Sequence, residues 1–268
     1  MFAHHPLGGY IAPCLSRILN LAELLVPRPF SLPTFRKAYA DRVVAGNFQE
    51  EPGYYPRYRS RYECIVKYFA SVAPEQPADV LDIGGGQFAV LVKEIWQDRA
   101  AMADIDREHM EAMAKTGFRT LHWNLLEDKQ PATAEFDVII MSEVIEHLPI
   151  PSHIVLERLR KALRPGGVLI CSTPNLYRWR NIIYLLLGKS PFDHFHYPVD
   201  SGLGHQLEFS EEHLHWQLER AGFREIRIDR VSLPHAPKSF LFRVLKWLAW
   251  PMTWFPRYRD CLVAVAKA

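Results

Sequence analysis

An apolar run that ends in three consecutive glycines constrains the fold of this chain more than any other feature. Residues 79–83 have the composition of a buried strand, and residues 87–97 that of the helix that follows it. Between them lie Gly84, Gly85 and Gly86, which allow the backbone to turn sharply and to approach a ligand closely. This layout places a small ligand against a helix N-terminus at the carboxyl edge of a parallel sheet.

The carboxylate of Asp82, two residues before the first glycine, narrows the kind of ligand. A loop that only cradles phosphate should avoid a negative charge there, whereas a ligand with an ammonium group favours one. The spacing Gly84-x-Gly86-x-x-Ala89 also fits the dinucleotide fingerprint, so the glycines alone do not identify the cofactor. An NAD-dependent oxidoreductase or epimerase therefore stays an alternative, although the chain has no Tyr-x-x-x-Lys pair.

Strand and helix signals alternate after this first unit, which indicates a parallel sheet with helices on both faces. The pattern predicts further strands at 100–104, 118–122, 136–141 and 167–172, helices at 106–115 and 152–163, and a long irregular segment at 173–208. A helix capped by Ser210 then leads to strands at 224–231 and 261–267. Because no compact helical crossover separates these two strands, the last one is predicted to be antiparallel.

Length and composition limit the classes of protein to consider. The 268 residues suit one α/β domain, 57–268, with an N-terminal apolar and helical extension, 1–56, and an apolar insertion, 233–258. A helix over 57–72 leads into the domain. The formal charge of +2 gives no indication of a nucleic-acid partner. Four cysteines without CxxC spacing predict reduced thiols and a cytoplasmic location, and no window is long enough to span a membrane. The oligomeric state stays open.

Polar residues follow the second and third strands. Asp104 lies 22 residues after Asp82, where an acid can accept hydrogen bonds from both ribose hydroxyls of a nucleoside; a solvated strand-end acid is the alternative. Asp106 is the nearby competitor, but we expect it to cap the next helix. Asn124 can bond an adenine edge while Leu125 packs on the ring, and a plain turn asparagine is the alternative.

Together these residues resemble the class I S-adenosylmethionine-dependent methyltransferases over about residues 57–232. The motifs that carry the resemblance are LDIGGG at 81–86, FDVIIMSEVIEHL at 136–148, LRPGGVL at 163–169, STPN at 172–175, Gly204-His205, Phe209-Ser210 and Ala221-Gly222-Phe223. The resemblance implies a Rossmann-like, doubly wound α/β sheet of seven mostly parallel strands, with S-adenosylmethionine as the cofactor. The residues it implies at the cofactor are Asp82, Gly84, Gly85, Gly86, Asp104, Ile105, Asn124, Leu125 and Ser142.

Two positions depart from the family pattern. Phe88 replaces the third glycine of the loop and should narrow the cofactor pocket or shift the helix. Asn124 stands where an aspartate is more usual and removes a charge near the adenine amino group. A non-catalytic binding protein that retains the fold is therefore a further alternative, with Phe88 as its main support.

The resemblance agrees with the chemistry of the loop. Asp82 can offset the ammonium group of the cofactor, directly or through water, and the helix N-terminus near Gly86 favours its carboxylate. Because the sulfonium already activates the methyl group, the protein mainly has to align a nucleophile and exclude water.

A hydroxyl acceptor needs a general base, and imidazole suits that role near neutral pH. His147 follows the fourth strand and His205 lies in the long segment before Ser210, so both are candidate catalytic residues; a cap or packing role is the alternative for each. The histidines between His194 and His215 include H-x-H pairs without a fixed carboxylate or cysteine partner, so no metal is predicted.

Three apolar segments, 15–25, 182–187 and 239–250, bear on the acceptor. They suit helices at a membrane surface, an apolar substrate pocket, or helices that pack on each other and on the sheet. The sequence predicts O-methylation of a small-molecule, glycan or lipid-linked acceptor, such as a sugar hydroxyl or the phenol of a quinone-like lipid. Peripheral contact with the inner membrane surface stays open.

Overall fold

The computed structural model of this chain describes residues 27–46, 48, 50–51, 53–74, 77–129, 131–192, 204–233, 247 and 250–268. The apolar stretch 15–25 and most of the insertion 233–258 lie outside these residues, as do His194 and His196. The predictions made for them stay predictions.

Seven strands form one sheet. They are β1 (Asp79–Ile83), β2 (Arg99–Asp104), β3 (Arg119–His122), β4 (Phe136–Ser142), β5 (Leu163–Pro174), β6 (Arg224–Val231) and β7 (Cys261–Lys267). Their order across the sheet is β3-β2-β1-β4-β5-β7-β6. β7 is antiparallel to β5 and β6, and the other neighbouring pairs are parallel. The predicted mostly parallel sheet with an antiparallel last strand is confirmed.

Seven α-helices accompany these strands in the described part of the chain. They are α1 (Leu32–Ala38), α2 (Tyr54–Val72), α3 (Gln87–Trp96), α4 (Arg107–Lys115), α5 (Ser152–Ala162), α6 (Trp179–Leu186) and α7 (Glu211–Arg220). α1 continues into a π-helical segment, Tyr39–Val44. The helix predicted from residue 57 begins at Tyr54, because Gly53, with φ +83°, turns the chain there and Pro56 is tolerated in a first helical turn.

The sheet is covered on both faces, and alternate residues of β4 show how. Ile139 and Met141 belong to the apolar cluster that contains residues of α5 and α7. Val138 and Ile140 belong to the cluster that contains residues of α1, α2 and α3. All four side chains are fully buried, as the two-residue period of a central strand requires.

The segment predicted to be irregular, 173–208, contains α6. Buried Glu208 accepts a hydrogen bond from Asn181 and forms an ion pair with Arg178, so both ends of the segment are tied together. Within the described ranges, no helix is both long enough and apolar enough to cross a bilayer.

Candidate active site

The carboxyl ends of β1 and β4 lie side by side at the point where the strand order reverses, the usual ligand position in doubly wound sheets. Two adjoining cavities occupy this edge, one of about 330 Å³ and one of about 160 Å³. Ile83, Gly84, Asp104 and Val144 line both cavities. Together they form one elongated depression with a polar and an apolar half.

The glycine turn shapes the floor of the larger cavity. Gly84, with φ +104°, and Gly85 line this cavity. Gly86, with φ +83°, packs toward β2 instead, because a Cβ at this position would lie 2.9 Å from Sδ of Met102. His109 on α4 forms a hydrogen bond through Nε2 with the carbonyl oxygen of Gly85 at 2.9 Å, which links α4 to the turn. Sequence reasoning did not identify His109.

Asp82 lines the larger cavity and also caps α3. Its Oδ2 accepts hydrogen bonds from the backbone N–H groups of Phe88, at 2.8 Å, and Ala89, at 3.1 Å. The residue before α3, Gly86, has no side chain to do this. Burial raises the pKa of Asp82 to about 7, and the two N–H donors offset only part of that effect. The carboxylate expected to face an ammonium group is therefore also a structural group.

The side chain of Phe88 contacts both the larger cavity and the apolar core. It lines the larger cavity, and its ring centroid lies 5.0 Å from that of Tyr62 on α2. α3 begins at Gln87, where the sequence predicted it.

Asp104 lies at the common wall of the two cavities. Its Oδ1 accepts a hydrogen bond from the backbone N–H of Asp106 at 2.9 Å, which leaves the other carboxylate oxygen for a ligand. Asp106 caps α4 by accepting from the N–H groups of Glu108 and His109, so its predicted capping role is confirmed.

The smaller cavity has mainly apolar walls, which include Ile105, Trp123 and Leu125. Asn124 also lines it, but its Oδ1 accepts from the N–H of Leu126 at 3.1 Å and its Nδ2 donates to Glu127 at 2.9 Å. Asn124 thus has the turn role that was the alternative to an adenine contact.

Sequence reasoning missed a group that α2 brings to the larger cavity. Arg61 pairs with Glu143, N–O distance 3.1 Å, and donates to the hydroxyl of Tyr54 at 3.3 Å. The Nε of Arg61 is buried and has no hydrogen-bond partner among the described residues. Ser142 lies beside this group and shares a hydrogen bond with Ser172 at 2.8 Å. Glu143 directly follows β4 and could have been found there, whereas no motif marks Arg61.

The two candidate catalytic histidines, 58 positions apart in the sequence, are in contact. His147 ends the short 3-10 helix Ile145–His147 after β4 and lines the smaller cavity. Its ring meets that of His205 edge to face, with centroids 4.9 Å apart. His205 is held through Nδ1, 3.3 Å from Oε1 of the buried Glu208.

A buried acid, Glu146, lies behind this pair. Its Oε2 accepts from the hydroxyl of Thr173, while its Oε1 has no hydrogen-bond partner among the described residues and lies 3.9 Å from Nε2 of His147. Burial and the nearby charge of Glu143 raise the pKa of Glu146 well above its ordinary value. One ligand atom each of Glu146, His147 and His205 lies within 4.8 Å of the others, so this trio could hold a metal ion. The sequence prediction of no metal considered only the H-x-H pairs, and it stays a prediction.

Comparisons with known proteins complete the description of the site. Residues 55–227 match the sequence profile of a family described as a methyltransferase domain. The ubiquinone biosynthesis O-methyltransferase of Idiomarina loihiensis is 33% identical over 126 residues, which cover 43% of this chain and 48% of that protein. The mitochondrial ubiquinone biosynthesis O-methyltransferase of Candida albicans is 41% identical over 64 residues, 23% of this chain and 19% of that protein. The chain thus spans half or less of the length of these curated relatives.

Solved structures share the fold. An S-adenosylmethionine-dependent methyltransferase from Archaeoglobus fulgidus superimposes with a TM-score of 0.53 at 19% identity, covering 80% of this chain and 98% of that one. The Burkholderia thailandensis 1,6-didemethyltoxoflavin-N1-methyltransferase, solved with 1,6-didemethyltoxoflavin and S-adenosylhomocysteine, has a TM-score of 0.50 at 17% identity, covering 91% and 93%. At these identities the likeness concerns the fold alone.

Proposed function

The chain belongs to the methyltransferase-domain family and is a class I S-adenosylmethionine-dependent methyltransferase, and from this premise we propose that it methylates an oxygen atom of a small or lipid-linked acceptor. The sequence-based predictions of family, fold, enzyme class and cofactor are confirmed. The family match also favours this enzyme over the oxidoreductase and the non-catalytic alternatives.

The two cavities fit the two halves of the cofactor. The apolar walls around Ile105 and Leu125 suit an adenine ring, and Asp104, at the common wall, suits the ribose hydroxyls. The larger cavity offers the carboxylate of Asp82 to an ammonium group and the buried guanidinium of Arg61 to a carboxylate. When bound, the cofactor supplies a methyl group activated by a sulfonium; the chain's own residues bind it and exclude water.

The observation that carries the choice of oxygen is the imidazole of His147 on the cavity wall that also contains Gly84 and Asp104. His147 would accept the hydroxyl proton of the acceptor as the acceptor oxygen takes the methyl group that the cofactor would supply. His205 contacts the ring of His147 and is itself fixed by Glu208, so we assign it a positioning role.

The acceptor we favour is a phenolic hydroxyl of a quinone-like molecule. The support is the similarity to two proteins named ubiquinone biosynthesis O-methyltransferases. No described contact favours the sugar hydroxyls that the sequence also allows.

The test starts from cofactor binding and the mass of the product. Titration calorimetry should detect binding of S-adenosylmethionine, and cell extract with isotopically labelled cofactor should give a product heavier by one labelled methyl group on oxygen. His147→Ala should lower kcat by about 100-fold or more at saturating cofactor, with cofactor affinity unchanged. His215→Ala, on the half-buried face of α7, is the matched control and should leave kcat unchanged.

Two outcomes would overturn this proposal. Methyl transfer to nitrogen or carbon would reject the acceptor atom, and an unchanged kcat in His147→Ala would reject the base. A further experiment with the chelator EDTA distinguishes proton transfer by His147 from metal-assisted catalysis. Loss of turnover with EDTA, restored by a divalent cation, would show that Glu146, His147 and His205 act as metal ligands instead.

A further inference from the structure

The C-terminal half of α6 carries a run of exposed leucines. The helix begins with buried Trp179 and Asn181, but Leu185, Leu186 and Leu187 are 56%, 81% and 63% exposed. The chain then continues through exposed Gly188 and Lys189. An exposed contiguous apolar tip on an otherwise well-packed domain is typical of an interaction surface.

A second exposed apolar segment lies next to it. Pro174, the last residue of β5, is paired with Cys261, the first residue of β7, so the segments that follow β5 and precede β7 leave the sheet side by side. Asn175 fixes this arrangement by donating from Nδ2 to the carbonyl oxygens of Arg257, at 2.9 Å, and Arg259, at 2.8 Å.

The segment before β7 presents Trp254 and Phe255, which are 66% and 60% exposed. A groove of about 1150 Å³ is lined by Tyr177 of the first segment and Tyr258 of the second, and by Glu211, Glu212 and Glu219 of α7. We call residues 176–192 and 250–259 together the apolar-basic face.

The charge of these segments differs from that of the rest of the chain. Residues 176–192 contain three Lys or Arg and no acidic residue, and residues 250–259 contain two and none. The other residues contain 27 basic and 30 acidic side chains, from totals of 32 and 30. The local positive charge therefore complements a negatively charged partner.

We propose that the apolar-basic face docks the protein on an anionic phospholipid surface. Leucines at the end of α6 enter the acyl-chain boundary, tryptophan and tyrosine lie at headgroup level, and Arg and Lys contact lipid phosphates. A second copy of this chain is a poorer occupant, because a two-fold interface would place the same basic segments against each other.

This docking would place the active site beside the membrane. α6 follows the carboxyl end of β5, and Arg178 at its start pairs with Glu208, which also holds His205. If the acceptor is lipid-linked, as the proposed function allows, it could reach the cavity without leaving the bilayer surface. The docking itself does not depend on the identity of the acceptor.

Vesicle co-sedimentation of the full chain tests the proposal. Vesicles of phosphatidylcholine containing phosphatidylglycerol should bind the protein, vesicles of phosphatidylcholine alone should not, and added salt should weaken the binding. Leu186→Glu should weaken binding by about tenfold, because it removes a leucine that would enter the acyl-chain boundary and adds a charge that the anionic lipids repel. Trp254→Ala should also weaken it. Val44→Glu, at a 40% exposed apolar position outside this face, is the control and should bind as the wild type does.

Cofactor affinity and circular dichroism confirm that each variant is folded. Equal binding of Leu186→Glu and Val44→Glu would overturn the proposal, as would equal binding to both kinds of vesicle. A dimer in solution that Leu186→Glu dissociates would also overturn it and assign the face to a second copy. Absence of methyl transfer in the wild type would reject the proposed function while leaving the vesicle result standing.

Discussion

Asp82→Asn should change how the stability of the cofactor-free protein depends on pH. The side chain is 2% exposed, and burial raises its pKa from 3.8 to about 7. The folded protein therefore holds a proton on Asp82 over a pH range in which the unfolded chain has released it. Asparagine has nearly the same shape but cannot ionise, so the comparison isolates the effect of that proton.

The magnitude follows from the shift. Between pH 3.8 and about pH 7 the folded state of the wild type binds more protons than the unfolded state, so its free energy of unfolding falls as pH rises. Each pKa unit corresponds to about 1.4 kcal/mol, which gives about 4 kcal/mol over the whole window and about 2 kcal/mol from about pH 5 to about pH 7. The free energy of unfolding of Asp82→Asn, minus that of the wild type, should therefore increase by about 2 kcal/mol over that interval.

Urea unfolding of both proteins at several pH values and constant ionic strength measures this difference. Any constant offset cancels, including the altered hydrogen bonds to Phe88 and Ala89, because only the change with pH is compared. Asp79→Asn, on the same strand, is the control. Arg99, with a further contribution from Arg164, lowers the pKa of Asp79 to about 2, so this carboxyl is ionised in both states throughout the interval and its difference should stay constant. A difference for Asp82→Asn that is flat, or that decreases with pH, would refute the reasoning.

Three further predictions concern Asp104, Gly86 and Asp82. Asp104→Ala should weaken S-adenosylmethionine binding by about 1–3 kcal/mol in titration calorimetry, since buried ribose hydroxyls would lose their acceptor, and unchanged affinity would remove the ribose assignment. Gly86→Ala should lower the thermal midpoint more than Gly117→Ala: both glycines have φ near +80°, but only the Cβ at Gly86 meets Met102, at 2.9 Å. Cofactor binding at about pH 6 should release a proton from Asp82, detected as a dependence of the binding enthalpy on the ionisation enthalpy of the buffer.

The sheet could be predicted from the sequence because its central strands, β1, β4, β5 and β7, are mostly buried and their apolar runs have clear ends. β1, β6 and β7 have the bounds that the sequence indicates. For α6 the sequence contained two signals: residues 182–187 suited a helix, but the segment 173–208 around them was predicted to be irregular, and the helix begins at Trp179. Its position depends on Glu208, which contacts Arg178 and Asn181 about thirty residues earlier, and local sequence carries no signal for such a contact.

The candidate site was predictable where a strand end supplies the residue. Asp82, Gly84 and Asp104 follow from the strand–turn–helix pattern and lie on the cavity walls. Arg61 was not predictable, because α2 precedes the first strand and only the packing of its helix brings it over the edge of the sheet. Glu146 was not identified as a site residue, because it differs from an ordinary surface acid only in being buried, and the sequence does not show burial.

The double role of Asp82 connects the fold to the proposed activity. In the cofactor-free protein at neutral pH its carboxyl group is close to half-protonated, because burial disfavours the charge more than the helix N–H groups favour it. An ammonium group in the larger cavity would favour the ionised form. An ionised carboxylate also accepts stronger hydrogen bonds from the N–H groups of Phe88 and Ala89. Binding of the methyl donor and the stability of the first turn of α3 are therefore linked through one side chain, which explains why an acid at this point is compatible with a glycine turn that otherwise suits an anion.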